Sequence, residues 1–156
     1  MVVGFSEVER AAWGGLLATY ARLTRAVEDQ LMEQSQLTHV EFEVLLRLWS
    51  EPNHRLRMQD LAARSLLTRS GVSRAVERLE RAGLVRREAA REDRRGAWAI
   101  LTDGGDERFR AAARTHIPFV RQAFLDLFND DELRTMAEAW QRIERHLQHV
   151  PTHPRR

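Results

Sequence analysis

Cysteine is absent from the 156 residues. That excludes a disulfide framework, a thiolate zinc site, a catalytic cysteine and a thiol redox switch. Lysine is absent too, so all 25 basic residues are arginine. Long apolar runs are lacking; a membrane span needs about 20 consecutive apolar residues. Met1-Val2-Val3-Gly4-Phe5-Ser6-Glu7 has no basic stretch followed by an apolar block. No secretory signal is therefore expected, and the chain reads as cytoplasmic with no membrane partner. There is no phosphate-binding glycine loop, no Gly-x-Ser-x-Gly and no His-Glu-x-x-His. Gly104-Gly105 reads as the start of a helix rather than a cofactor loop. Nothing points to an enzyme or to a bound cofactor.

What is present is a folded chain of about one-domain length. Its net charge of +2 is uninformative, but the charge is unevenly spread. From Arg55 to Arg95 there are twelve arginines against six acids, whereas the remainder has thirteen against seventeen. A central basic block between acidic flanks is the footprint of a phosphate-binding module.

Residues 6–33 read as one long helix, with Ser6 as N-cap and Glu7 and Glu9 in its first turn. Val8, Ala12, Leu16, Leu23, Val27 and Leu31 recur at helical spacing. Trp13, Leu17 and Tyr20 widen that stripe enough to bury two contacts, one of them on a partner chain. Thr38-His39-Val40-Glu41 is a capping box opening a helix to about Ser50. Arg55-Leu56-Arg57 is a short extended stretch. A short helix at 58–65 follows, and Thr68 caps another running to about Ala82, which Gly83 ends. Leu84–Ala89 and Ala97–Leu101 read as strands joined by a polar hairpin tip, Arg91 to Gly96. Thr102 or Asp103 starts a helix to about Phe128, with a kink or break expected at Pro118. Asn129 to Glu132 caps the last helix. Its stripe of Leu133, Met136, Ala137, Trp140, Ile143 and Leu147 is a seam for another helix.

The order helix, turn, helix, strand, basic hairpin, strand predicts a mostly α fold with a small β-hairpin wing. It is a winged helix-turn-helix bracketed by long N- and C-terminal dimerisation helices. The expected division is a dimerisation helix at 1–36, the winged module at 37–101, C-terminal dimerisation helices at 102–150 and a frayed tail at 151–156. Over roughly 37–105 the residues resemble the MarR family of bacterial transcription regulators. Met58-Gln59-Asp60-Leu61-Ala62 is similar to its support helix. Leu67-Thr68-Arg69-Ser70-Gly71-Val72-Ser73-Arg74 is similar to its recognition helix. Gly83-Leu84-Val85-Arg86-Arg87 and Asp93-Arg94-Arg95, then Leu101-Thr102 and Gly105, match its wing and the helix after it. The resemblance implies a homodimeric regulator that represses or activates from a palindromic operator in double-stranded DNA, a repressor being expected here. It also implies release by a small-molecule effector. The absence of cysteine excludes the family's peroxide-sensing mechanism here.

A recognition helix places its N-terminal turns on base edges in the major groove. Arg69 and Arg74 are assigned to base or phosphate contact, Ser70 and Ser73 to support, and Thr68 to an N-cap beside a phosphate. Arg78, one turn on, is expected at a phosphate. Arg94 and Arg95 at the wing tip are both candidates for DNA, in a narrow minor groove. The resemblance suggests that Asp93 pairs with one of these arginines to hold the wing, Arg95 being favoured for the pair and Arg94 for the groove. Arg55, Arg57, Arg86, Arg87 and Arg91 are phosphate neighbours or plain surface charges.

By the same resemblance, the effector pocket lies between the dimer base and the winged module. Trp13, Tyr20 and His39 are candidates to line it. Arg22 or Arg10 would partner the carboxylate of an effector such as an aromatic acid. His146 and His149 are three apart, but no cysteine or matching carboxylate cluster accompanies them, so no metal site is expected. The competing reading is a winged-helix module that binds a protein, or DNA without sequence preference.

Overall fold

The computed structural model describes residues 4–65, 68–90 and 96–150, with Arg69 described in its backbone alone. The expected wing-tip residues Asp93, Arg94 and Arg95, with Arg91, lie outside the described residues, as does the tail at 151–156.

Among the described residues, six α-helices and three strands follow in the order α1 (Glu7–Ser35), α2 (His39–Trp49), β1 (Arg55–Arg57), α3 (Met58–Arg64), α4 (Arg69–Arg81), β2 (Val85–Ala89), β3 (Ala97–Leu101), α5 (Asp103–Ala123) and α6 (Asp130–Leu147). Three helices begin with reciprocal capping boxes: Ser6 with Glu9, Thr38 with Glu41, and Asn129 with Glu132. In each, the side-chain oxygen of the N-cap satisfies an otherwise orphaned amide, and the glutamate three residues on returns the bond. Gly83 adopts a left-handed φ of 73° after α4. The amide of Leu84 then donates to the Leu79 carbonyl at 2.9 Å, which closes the helix end.

Hydrophobic periodicity decides which faces are buried. Val72, Ala75, Val76 and Leu79 of α4 are all buried, against Leu61 of α3 and Val44, Leu45 and Leu48 of α2. Phe42, Trp49 and Phe109 stack at centroid separations of 5.4 and 5.1 Å, joining α2 to α5. On α1 only the C-terminal half is buried, at Val27 and Leu31, while Val8, Trp13, Leu17 and Tyr20 are exposed.

Two expectations need correction. Arg55–Arg57 is more than an extended stretch: it pairs antiparallel with β3, giving a three-stranded sheet in the order β1-β3-β2. The buried Leu56 pins that third strand, placed opposite Ala99. Of the kink or break expected at Pro118, the break is absent, since α5 runs on to Ala123. A proline removes one amide donor, and the flanking helical bonds survive that loss. The helix stops short of Phe128 instead, giving way to a 3-10 turn at Leu125–Leu127.

The chain falls into two compact units, residues 1–118 and 119–156. The first holds α1 through most of α5, and the second holds the end of α5, the 3-10 turn and α6. No described helix is long and apolar enough to cross a membrane.

Candidate nucleic-acid interface

Helix α4 is built with one face inward and one outward. Thr68 is its N-cap, and its hydroxyl oxygen accepts from the Gly71 amide at 3.2 Å and shares a 3.2 Å hydrogen bond with the Ser70 hydroxyl. Ser70, Ser73 and Arg74 are exposed, while Val72, Ala75 and Val76 are buried. The Arg74 Nε donates to the Ser70 carbonyl at 3.4 Å, within its own helix. Arg69 lies in the first turn. Sequence reasoning therefore placed Thr68, Arg69, Ser70, Ser73 and Arg74 on the first turns of one helix, where the structure has them.

Charge is divided along that helix. No acid occurs in its first turn. Among the described residues no carboxylate pairs with Arg74. The C-terminal turns differ: Arg81 pairs with Glu77 at 2.8 Å, and Glu80 receives the Arg87 amide at 3.1 Å and its guanidinium at 3.6 Å. The Arg87 side chain also donates to the Ser73 carbonyl at 3.0 Å, fastening β2 to α4. The N-terminal half thus keeps its cationic character, to which the helix dipole adds. The C-terminal half is locally neutralised.

Arg78, expected at a phosphate, is already engaged within the chain. Its Nε donates to Glu41 Oε1 at 2.6 Å. The other oxygen of Glu41 receives the Thr38 amide and hydroxyl, each at 2.9 Å. Burial alone would raise the pKa of Glu41, but the Arg78 hydrogen bond and the Thr38 donors outweigh it and hold the carboxyl below its ordinary value. One carboxylate therefore caps α2 and tethers α4. The sequence signalled the cap but could not signal the tether, whose partners lie 37 residues apart.

The sheet adds a second basic surface. Arg55 and Arg57 of β1 lie across from Ile100 and Trp98 of β3, which in turn lie across from Arg86 and Glu88 of β2. Both β1 guanidiniums sit over the Trp98 ring, at 4.0 and 4.8 Å from its centroid. Arg86 pairs with Glu88 at 2.8 Å. Trp98 went unremarked in the sequence, although alternate arginines on one strand facing a tryptophan are a readable signal.

Behind this, α5 is locked to the sheet. Thr102 Oγ1 donates to the Gly83 carbonyl at 2.7 Å and accepts from the Gly105 amide at 3.0 Å. A methyl group on Gly105 would collide with the Leu84 carbonyl and lie 2.7 Å from Leu101 Cδ1.

The expected effector residues do not converge on one site within the chain. Trp13 and Tyr20 are 54% and 69% exposed on the outer half of α1. Arg22 is exposed as well. His39 is half-buried, and its amide donates to Glu28 at 2.8 Å. Glu28 lies about 22 Å along α1 from Trp13 at 1.5 Å per residue. The Arg10 guanidinium donates to the Phe5 carbonyl at 2.6 Å. Among the described residues no group of histidines and carboxylates could hold a metal ion. His149 bonds instead to the Arg145 carbonyl at 2.8 Å.

A capped helix presenting hydroxyls and arginine outward, braced by a helix behind and a hairpin beside it, is the reading head of a winged helix-turn-helix regulator. Comparison with known proteins agrees and is more specific. A profile of the MarR family matches residues 35–96. The HTH-type transcriptional regulator YkoM of Bacillus subtilis is 31% identical over 129 residues, covering 81% of each chain. Among solved structures, AbsC, a MarR family transcriptional regulator from Streptomyces coelicolor, is 34% identical with a TM-score of 0.88, over 94% of this chain and 99% of that one. Sco3205, a MarR family transcriptional regulator from the same organism solved in complex with DNA, is 34% identical with a TM-score of 0.90, over 97% and 94%. This chain belongs to the MarR family of transcriptional regulators.

Proposed function

We propose that the chain is a cytoplasmic, sequence-specific repressor that binds a palindromic operator as a homodimer and releases it when a small effector binds. The observation that carries the DNA reading is the acid-free, hydroxyl-bearing N-terminal half of α4. Arginine forks match guanine O6 and N7, and the small serines leave room for base edges. The 34% identity to Sco3205, whose structure contains DNA, supports the same reading.

The dimer reading rests on exposed apolar residues. Helix α1 presents Val8, Trp13, Leu17 and Tyr20, and α6 separately presents Trp140, Ile143 and Leu147. Large apolar side chains left in water on long helices mark an interaction surface. One module reads only a few base pairs, whereas two related by a two-fold axis read half-sites about one helical turn apart. The effector reading rests on Trp13 and Tyr20, which share one face of that same outer half of α1 and suit the ring of an aromatic acid.

Selection from a random duplex pool tests the first claim. Enrichment of an inverted repeat with half-sites about 34–36 Å apart supports it. Binding without enrichment refutes sequence specificity. On the enriched duplex, Arg74→Ala is expected to cost about 1–3 kcal/mol, roughly five- to 150-fold in affinity, and to relax preference at one base position. Equal affinity of variant and wild type removes Arg74 from the mechanism. An aromatic acid that lowers operator affinity at saturation supports the effector reading, and unchanged affinity with the acid bound refutes it.

A further inference from the structure

Arg87 lies on β2, which is an edge strand of the described sheet. In an antiparallel pair alternate amides point away from the partner strand. The Arg87 amide serves α4 in this way, donating to Glu80 Oε1 at 3.1 Å. The guanidinium of the same residue reaches along α4. Its Nε lies 3.6 Å from the other oxygen of Glu80, and a terminal nitrogen donates to the Ser73 carbonyl at 3.0 Å. Ser73 and Glu80 are about two helical turns apart, on one face of α4. Backbone and side chain of one wing residue therefore bind two points of the helix, one of them in the half that carries Ser70, Ser73 and Arg74.

These bonds fall where apolar packing is thin, since Val85 is the one buried residue of β2. The corner before Val85 is held by Thr102, which donates to the Gly83 carbonyl at 2.7 Å. That bond fixes where the hairpin starts. Arg87 adds an attachment two residues further out, about 7 Å along the strand. Two attachments fix a direction where one leaves a pivot. In a winged module the recognition helix seats in the major groove while the wing reaches a narrow minor groove. The angle between helix and wing is then part of what recognises the duplex, and a wing already held at that angle loses less freedom on binding.

We infer that Arg87 and Glu80 form a strap that sets the wing against the reading half of α4. Arg87 thereby serves operator recognition as a positioning residue rather than as a phosphate contact. The strap also accounts for an exposed acid on the recognition helix, where a polyanion must approach. This rests on the DNA-binding reading above.

The test uses the full chain, the duplex enriched by the wild-type protein and an unrelated duplex of equal length, at about 0.15 M salt. Glu80→Ala removes an acid, so charge alone predicts equal or tighter binding to both duplexes. The strap predicts the opposite on the enriched duplex, a loss of about two- to fivefold per protomer, which is the worth of one partly exposed ion pair. It predicts no weakening on the unrelated duplex. Arg87→Met is expected to weaken the enriched duplex by a similar factor. The double variant should lose no more than either single change, because both break the same strap.

Binding of the enriched duplex by Glu80→Ala at wild-type affinity or tighter overturns the strap, and so does an equal loss on both duplexes. Losses that multiply in the double variant overturn it too, and return Arg87 to an independent contact with phosphate. Glu80 is exposed on a helix, where alanine is well tolerated, so its variant decides the matter even where Arg87→Met fails to fold. A wild type that enriches no duplex refutes the DNA reading itself, and is distinct from a failure confined to the variants.

Discussion

Replacing Arg78 by methionine separates architecture from DNA contact. The change keeps the aliphatic stem and deletes the guanidinium that donates to Glu41 at 2.6 Å. The Arg78 side chain is 46% exposed, but that of Glu41 is 11% exposed. Water can therefore replace the bond poorly at the carboxylate end. A fully exposed pair would be worth under about 1 kcal/mol, and breaking a fully buried one costs about 3–5 kcal/mol. This intermediate pair, with the Thr38 donors still in place on Glu41, should cost about 1–2 kcal/mol. For a chain of this length that lowers Tm by roughly 3–6 °C at fixed protein concentration. A double-mutant cycle with Glu41→Gln should return a coupling of similar size. The pH dependence follows in sign. A carboxyl held below its ordinary value stabilises the fold above that value, and the contribution is lost as pH falls through the folded value. Without Arg78 the burial of Glu41 is opposed only by the Thr38 donors, its pKa rises, and stability begins to fall at higher pH than in the wild type. Duplex binding then distinguishes the roles. If Arg78 is a tether alone, its replacement leaves the salt slope unchanged. If it also touches a phosphate, its replacement lowers the slope by about 1. Coupling below about 0.5 kcal/mol with an unmoved acid limb would refute the tether.

Two other changes probe the scaffold. Gly105→Ala drives a methyl into the Leu84 carbonyl, where β2 meets α5, and should destabilise by about 1–3 kcal/mol. An unchanged melting temperature would show that α5 can shift freely. His116 is buried, with Nδ1 2.8 Å from Gln30 Oε1 and its ring edge-on to Phe42. Burial first, and then the nearby His39, push its pKa below the ordinary 6.5. The unfolded chain then binds the proton more readily, so stability should decline as pH falls below about 6.5 and level off below the folded value. His116→Gln should flatten that decline in thermal melts, and equal slopes for variant and wild type would count against it.

The legible part of the fold was the part written in local chemistry. The capping box at Thr38, the caps at Ser6 and Asn129, one glycine after α4 and four apolar positions at helical spacing needed no knowledge of distant residues. Each feature satisfies its own backbone or buries its own face. The third strand was harder. Arg55-Leu56-Arg57 has one apolar residue, too few for alternation to register, and becomes a strand because β3 offers an open edge and Leu56 fills the layer beneath. At Pro118 the break did not occur: a proline removes one hydrogen bond and its ring crowds the preceding turn, and the 21-residue helix continues on its remaining bonds.

The site divides along the same line. The N-terminal residues of α4 were legible because helix phase alone sends Ser70, Ser73 and Arg74 outward once Val72, Ala75 and Val76 face inward. What stayed hidden was which arginines are already committed. Counting twelve arginines in the basic block treats them as equivalent, and the structure does not. Arg78, Arg81, Arg86 and Arg87 each have a carboxylate within 4 Å. Arg74 has a carbonyl of its own helix as its hydrogen-bond partner, and Arg55 rests on Trp98. Pairing neutralises charge where the module holds together, and its omission leaves charge exposed on the N-terminal half of α4. The difference between an arginine that tethers and one with no carboxylate beside it among the described residues is set by distances of a few ångströms between elements far apart in sequence. A charge count along the chain carries no such information.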